Sequence, residues 1–120
     1  MSTLKLDTLS NKAGTASVPS DTIVSGTAKA WVNFNGTGTV AIRRAFNVAS
    51  ITDNATGHYT VNFTTAMPDA NYAFAGGAGD NSNTFVGQSG AYSTTAFEFY
   101  VRNTSNTPTD EEYVCVTIFS

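Results

Sequence analysis

Strict alternation of apolar and polar residues in three segments constrains the fold of this chain more than any other sequence feature. Each segment places three large apolar side chains at every second position, the period that gives a β-strand one buried and one polar face. Clusters of turn-forming residues at 53–57, 67–71 and 104–111 border the segments. The sequence therefore predicts an all-β, antiparallel fold whose core includes Tyr59, Val61, Phe63, Phe97, Phe99, Val101, Val114, Val116 and Ile118.

Further strands are predicted on the same criteria, and no segment shows sustained helical periodicity or capping residues. The dipeptide Asn35-Gly36 is typical of a tight hairpin turn, because both positions tolerate a positive φ. About six or seven strands then account for the folded part, and they favour a jelly-roll-like β-sandwich over residues 27–120. The additional strands are expected at 27–34, 38–51, 71–79 and around 85–86.

In the strand predicted over 38–51, a charged residue falls on the face that the apolar residues would bury. Val40, Ile42 and Phe46 occupy one face, and the same face would include Arg44. A β-bulge at Arg43-Arg44 resolves the conflict, since one extra residue moves the following side chains to the other face. An alternative is that the arginine stem packs at a seam between subunits.

Residues 1–26 differ from the rest of the chain and are predicted to form an extended N-terminal arm. Their large apolar residues are widely spaced among Ser, Thr, Gly and Ala. Leu4, Leu6 and Leu9 are candidates for a short strand that docks on a partner, because an isolated strand is marginal in water. A disordered terminus is the competing interpretation.

Composition restricts the partners of the chain. Only 12% of its residues are charged, the formal net charge is −3, and the six Lys and Arg residues are scattered. This distribution offers no basic stripe for phosphates and argues against nucleic acid. There is no apolar run for membrane insertion and no signal-peptide pattern. The surface is instead rich in amides and hydroxyls (19 Thr, 11 Ser and 11 Asn), and such surfaces favour homo-oligomers because few charges are buried on assembly.

The titratable residues give little support for catalysis. The chain has one histidine, His58, and one cysteine, Cys115, so a single chain lacks the common catalytic sets and zinc sites. We therefore predict a non-enzymatic protein with no metal or cofactor. Glu98 stands out because it lies inside a strand, beside Tyr100 and Arg102. It belongs either to a sugar-binding patch or to a cross-strand ion pair.

The polar segment 79–95 is the predicted contact region for a receptor or ligand. Loops rich in Asn, Ser, Gly and Tyr on a rigid β scaffold commonly carry recognition. Solvated loops without any ligand are the alternative. The candidate contact residues are Asn81, Asn83, Gln88 and Tyr92.

Residues 30–78, AWVNFNGTGTVAIRRAFNVASITDNATGHYTVNFTTAMPDANYAFAGGA, resemble a domain of bacteriophage tail-fibre and related virion proteins, especially from phages of cyanobacteria. The segment LKLDTLSNKAGT at 4–15 is similar to a short arm that often precedes that domain. The resemblance covers somewhat over half of the chain and identifies a module rather than a biochemical activity.

The resemblance implies a homotrimeric virion protein assembled in the host cytoplasm. It implies a short tail-fibre or tail-tip module that attaches to other virion proteins through the arm and contacts a host-surface polysaccharide or protein. The alternative is a capsid decoration or cement protein that stabilises the phage head. A depolymerase, with carboxylates paired in a groove between subunits, remains a third interpretation.

Overall fold

The structure, a computed structural model, describes residues 1–79, 84–88, 90 and 92–120, and this part of the chain contains ten β-strands and one short helix. Eight strands form two four-stranded antiparallel sheets with a shared core, so the predicted all-β, antiparallel fold is confirmed. The strand order is β4-β3-β10-β7 in the first sheet and β5-β6-β9-β8 in the second. The eight strands are β3 (Ala28–Asn35), β4 (Ala41–Phe46), β5 (Val48–Ala55), β6 (His58–Phe63), β7 (Ala73–Gly79), β8 (Thr84–Gln88), β9 (Ala96–Asn103) and β10 (Tyr113–Phe119).

The core lies between the sheets and consists of the residues that the alternation predicted. All nine predicted side chains are at most 8% exposed. Strand β3 adds Ala30, Val32 and Phe34, which alternate in the same way. Phe34 packs edge to face on Tyr59, with 5.1 Å between ring centroids. The prediction of which faces are buried is therefore confirmed for the three alternating segments.

The single strand predicted over 38–51 is wrong, because the chain changes sheets at Asn47. Strand β4 pairs with β3 in the first sheet, whereas β5 pairs with β6 in the second. Asn47 has φ +53°, a left-handed conformation that Asn tolerates better than most residues. Its side-chain amide donates to the carbonyls of Lys29 and Thr65, and its Oδ1 accepts the N–H of Thr65. The alternation alone did not reveal this corner, since an apolar pattern continues through it.

The bulge predicted at Arg43-Arg44 is confirmed. Arg44 lies opposite Asn33, but Ile42 lies opposite Phe34, so Arg43 is the extra residue in the register. Arg44 is consequently exposed and does not enter the core. The apolar residues of this edge strand are only partly covered, and Ile42 remains 40% exposed.

The hairpin between β3 and β4 is confirmed, but its turn is longer than a two-residue Asn-Gly turn. Residues 36–40 connect the strands, and the positive φ falls on Gly38. Asn35 uses its Oδ1 to accept hydrogen bonds from the N–H and Oγ1 of Thr37. A Cβ at Gly36 would lie 2.6 Å from the Tyr59 hydroxyl oxygen and 2.9 Å from the Glu111 carbonyl oxygen, so Gly36 serves close packing.

The segment that follows β9 closes one end of the sandwich through long-range contacts. Asp110 Oδ1 accepts hydrogen bonds from the Gly57 N–H at 2.7 Å and the Tyr59 hydroxyl at 2.6 Å. Gly57 has φ +61°, and a Cβ there would lie 2.5 Å from the Val101 carbonyl oxygen. Burial and the neighbouring Asp110 raise the pKa of Tyr59 above its usual value. This end is therefore held by polar contacts as well as by apolar packing.

The first 26 residues contain a small hairpin and a helix. The hairpin pairs β1 (Thr8–Ser10) with β2 (Ser17–Pro19), and α1 (Ser20–Gly26) follows directly. The expectation of no helix is wrong at α1. The helix has seven residues and none of them is buried. A helix without a buried face does not need the apolar periodicity by which a helix is recognised in a sequence.

The arm projects from the sandwich. The radius of gyration is 17.0 Å, against about 14 Å for a compact domain of this length. The longest principal extent is 50 Å, and the other two are 28 and 24 Å. Six large apolar residues of the arm remain exposed: Met1, Leu4, Leu6, Leu9, Ile23 and Val24.

Candidate functional site

The outward side of the second sheet carries a cluster of polar and titratable side chains. Strands β6 and β9 are neighbours in this sheet, so their outward residues form two adjacent rows. We call this surface the polar face and define it by His58, Thr60, Asn62, Glu98, Tyr100 and Arg102. All six are partly buried, as side chains packed on the surface of a sheet are.

One half of the polar face is an aromatic and ionic stack centred on Tyr100. The His58 ring stacks on Tyr100 with 4.1 Å between centroids and 20° between planes. The Arg102 guanidinium carbon lies 4.3 Å from the centre of the same ring. The Tyr100 ring is therefore in contact with an imidazole and with a guanidinium, and both contacts hold it in place on the sheet.

Glu98 completes this half by pairing with His58. The distance between His58 Nε2 and Glu98 Oε1 is 2.6 Å. Glu98 retains 43% exposure of its side chain, whereas the His58 side chain is 18% exposed. The expected cross-strand pair of Glu98 is therefore present, with histidine as the partner, and it lies on a face that is still partly exposed.

The other half of the polar face consists of amides and hydroxyls that bond to β5. Asn62 Nδ2 donates to the hydroxyls of Thr52 at 2.9 Å and Ser50 at 3.1 Å. Asn54 Nδ2 donates to the Thr60 hydroxyl at 2.8 Å. These bonds fix the positions of the amide and hydroxyl side chains on the sheet.

The polar face carries groups that form hydrogen bonds. It presents a carboxylate, a guanidinium, amides and hydroxyls on a rigid sheet, the groups that bind hydroxyl-rich molecules. Glycoside hydrolysis uses two carboxyl groups about 5–10 Å apart around a bound sugar. Here Glu98 is engaged with an imidazole at 2.6 Å.

The predicted contact residues in 79–95 fall largely outside what the structure describes. Asn81 and Asn83 lie outside the described residues, as does the side chain of Gln88, whose backbone ends β8. Tyr92 is described and is half-buried. Its ring packs edge to face on Tyr72, with 4.9 Å between centroids, and it belongs to the margin of the core.

The predicted arm residues are all exposed. Leu9 lies in β1, opposite Val18 of β2, whereas Leu4 and Leu6 precede the strand. Leu4 is 84% and Leu9 54% exposed. Within the chain only Leu9 belongs to a strand, and β1 pairs with β2, so the docking strand on a partner stays a prediction.

The sequence predicted that Glu98, Tyr100 and Arg102 are neighbours on one strand, but it did not predict that His58 lies beside them. The pairing of β6 with β9 spans about 40 residues, and no local pattern encodes it. The alternation of both segments did indicate that His58 and Glu98 face outward. That shared orientation was the available signal.

Within the described ranges, no group of three or more His, Cys, Asp or Glu side chains is arranged to hold a metal ion. Likewise, no helix among the described residues is long and apolar enough to span a bilayer. Compared with known proteins, the chain matches no protein-family model, no curated protein and no solved structure.

Proposed function

We propose that this protein is a non-enzymatic structural module of a phage virion, a short tail-fibre or tail-tip protein that serves assembly and attachment to the host surface. It would be assembled in the host cytoplasm and act on the virion. The observation that carries the proposal is the contrast between a well-packed sandwich and an arm whose large apolar side chains remain exposed. Such an arm is suited to anchoring the sandwich on a larger particle. The resemblance of residues 30–78 to tail-fibre modules supplies the setting.

A jelly-roll-like trimer is the architecture we infer for the module. Two long-range strand pairs support it, since β3 pairs with β10 in one sheet and β6 with β9 in the other. Both pairs join strands distant in sequence across the centre of a sheet, as the central pairs of jelly rolls do, whereas β4 and β5 pair with their neighbours in sequence. A threefold assembly also fits a chain with few charged residues to bury between copies.

The polar face is the surface we assign to the host. Its outward groups suit a hydroxyl-rich bacterial polysaccharide, and the pairing of His58 with Glu98 keeps them in fixed positions. Fixed positions reduce the entropy lost on binding. The proposal needs neither nucleic acid nor membrane insertion.

Immunogold electron microscopy tests the location. An antibody against the full chain is applied to intact particles of the phage that encodes it. Gold at the tail tip or fibres supports the proposed role. Gold spread over the head supports the alternative, a capsid decoration protein, and particles without gold contradict both.

Binding to polysaccharides extracted from host cells tests the polar face. Replacing Arg102 by Gln should weaken binding of the full chain by about tenfold if its guanidinium contacts the ligand. Arg43 is a matched control, because it lies 4.4 Å from the Tyr113 ring centre and pairs with Glu112 on the first sheet. Equal loss in Arg102→Gln and Arg43→Gln, or no binding by the wild type, would contradict the assignment. Release of sugar fragments by the wild-type chain, abolished in Glu98→Gln, would indicate a depolymerase instead.

A further inference from the structure

An apolar groove lies at the end of the sandwich where the arm joins it. The groove has a volume of about 600 Å³ and runs between the start of β3, the end of β4 and the loop after β6. Phe46 leaves 54% of its surface exposed on this side of the molecule. A groove of this size and composition is a typical site for apolar side chains. Its apolar lining consists of Ala28, Phe46, Ala66, Met67 and Pro68.

Helix α1 carries apolar side chains that have no place to pack. Ile23 is 38% and Val24 63% exposed, and no residue of the helix is buried. The helix ends directly before the first groove residue, Thr27. The same chain thus exposes an apolar ridge, made of Ile23 and Val24, next to an apolar groove.

The helix does not fill the groove of its own chain. Neither Ile23 nor Val24 lines it. The Thr27 N–H and hydroxyl both donate to the Ile23 carbonyl, at 3.1 and 2.6 Å, and the Lys29 ammonium donates to the Val24 carbonyl. These bonds fix the end of the helix on the start of β3. The ridge is therefore available to another molecule.

We propose that Ile23 and Val24 of one copy of this chain pack in the groove of a second copy. Lys29 is the one charged residue among the described groove-lining residues, and α1 carries Asp21 but no basic residue, so the two surfaces are complementary in charge. Each chain has one ridge and one groove. A head-to-tail contact of this kind fills every groove when the rotation between copies closes it into a ring, as the proposed trimer requires.

This inference rests on the self-association included in the proposed function and names the contact responsible. In this arrangement Ile23 and Val24 make the contact between subunits. Leu4, Leu6 and Leu9 take no part in it and can contact other virion proteins. Burial of both aliphatic side chains in each contact favours association in proportion to the apolar area removed from water.

Disulfide trapping in the full chain tests the contact. The exposed Cys115 is first replaced by Ser, and the variant Val24→Cys with Ala66→Cys is then oxidised and separated on a non-reducing gel. Links between chains, up to a closed ring, are the expected result. Links only within one chain would overturn the proposal. Links between chains of the single variant Val24→Cys would also overturn it, because they would place the helices of two copies against each other rather than one helix in the groove. Val24→Cys combined with Thr60→Cys on the polar face is the control and should give no links.

Light scattering on a sizing column supplies the second measurement. Wild-type chain should run as an oligomer, and Ile23→Ser with Val24→Ser should raise the dissociation constant by at least about tenfold. Leu9→Ser is the matched control, since Leu9 is a similarly exposed arm residue away from the groove. A monomeric wild type overturns both the contact and the trimer. An oligomer that the double variant leaves unchanged overturns the contact alone and leaves the virion role standing.

Discussion

The sandwich and the arm use apolar residues in opposite ways. Between the sheets, fourteen apolar residues of the described part of the chain form a core, and each is at most 8% exposed. In the arm, all of the largest apolar side chains are at least 37% exposed, and Val18 alone among the aliphatic ones is half-buried. The sandwich therefore contains the interactions that stabilise the fold, whereas the arm carries side chains whose burial requires a second molecule. The difference separates a folding unit from a binding segment.

The largest expected contrast between the two regions comes from truncating one apolar side chain in each. Phe99 is fully buried and packs against Phe34, Tyr59 and Phe97, so Phe99→Ala should lower the free energy of unfolding by about 3–5 kcal/mol. Leu9→Ala should change it by less than about 0.5 kcal/mol. Urea denaturation followed by tryptophan fluorescence measures both. A comparable loss in Leu9→Ala would mean that the arm belongs to the folding unit.

The next effect concerns the end of the sandwich closed by Asp110. A Cβ at Gly57 would lie 2.5 Å from backbone atoms of both Val101 and Thr109, and its φ is +61°. Gly57→Ala should therefore cost about 3 kcal/mol or more of unfolding free energy, measured by thermal denaturation.

Gly38→Ala is the matched control for that prediction. Gly38 has φ +60°, and a Cβ added there would meet no atom within 4 Å, so only backbone strain of about 1 kcal/mol is expected. Equal losses in the two variants would show that backbone strain, and not the close approach of Val101 and Thr109, accounts for the Gly57 effect.

A smaller effect is expected from the Tyr59 hydroxyl. Tyr59→Phe removes its hydrogen bond to Asp110 and should cost about 1–2 kcal/mol near neutral pH. The pKa of Tyr59 is raised in the folded chain relative to its usual value of 10.0, chiefly by burial. The unfolded chain therefore releases this proton first, and the stabilising contribution of Tyr59, intact below pH 10, declines as the pH rises above it.

Denaturation at several pH values between 8 and 11 measures the direction in which the free energy of unfolding changes with pH. Wild type should lose stability above pH 10 with a slope of up to about 1.4 kcal/mol per pH unit from this one group. Tyr59→Phe should have a shallower slope, though not a flat one, because burial also raises the pKa of Tyr72. Identical slopes in wild type and variant would contradict the burial of this hydroxyl.

The smallest effect on stability, and the sharpest on assembly, is expected in the arm. Replacing Leu4, Leu6 and Leu9 together by Ser should leave the unfolding free energy within about 0.5 kcal/mol of wild type. The same variant should fail to incorporate into particles when it replaces the wild-type gene, measured by immunoblot of purified phage. Normal incorporation would remove the arm from the attachment role.

The sequence by itself determined which residues are buried in the main strands. The alternation at 58–63, 96–103 and 113–119 is local, because successive residues of a strand point to opposite faces wherever the strand lies. The bulge at Arg43-Arg44 followed from the same rule, since a charged side chain was otherwise directed into the core. The outward orientation of Glu98, Tyr100 and Arg102 is a further consequence of that periodicity.

Only the tertiary structure decided which strands are neighbours and where the chain changes sheets. The corner at Asn47 depends on its amide reaching Lys29 and Thr65, each 18 residues away, and Asp110 reaches Gly57 over 53 residues. The pairing of His58 with Glu98 and the groove beside α1 arise in the same way, from segments distant in sequence. A periodic pattern specifies the faces of each strand but contains no information on its partner, because partners are selected by the packing of the whole core.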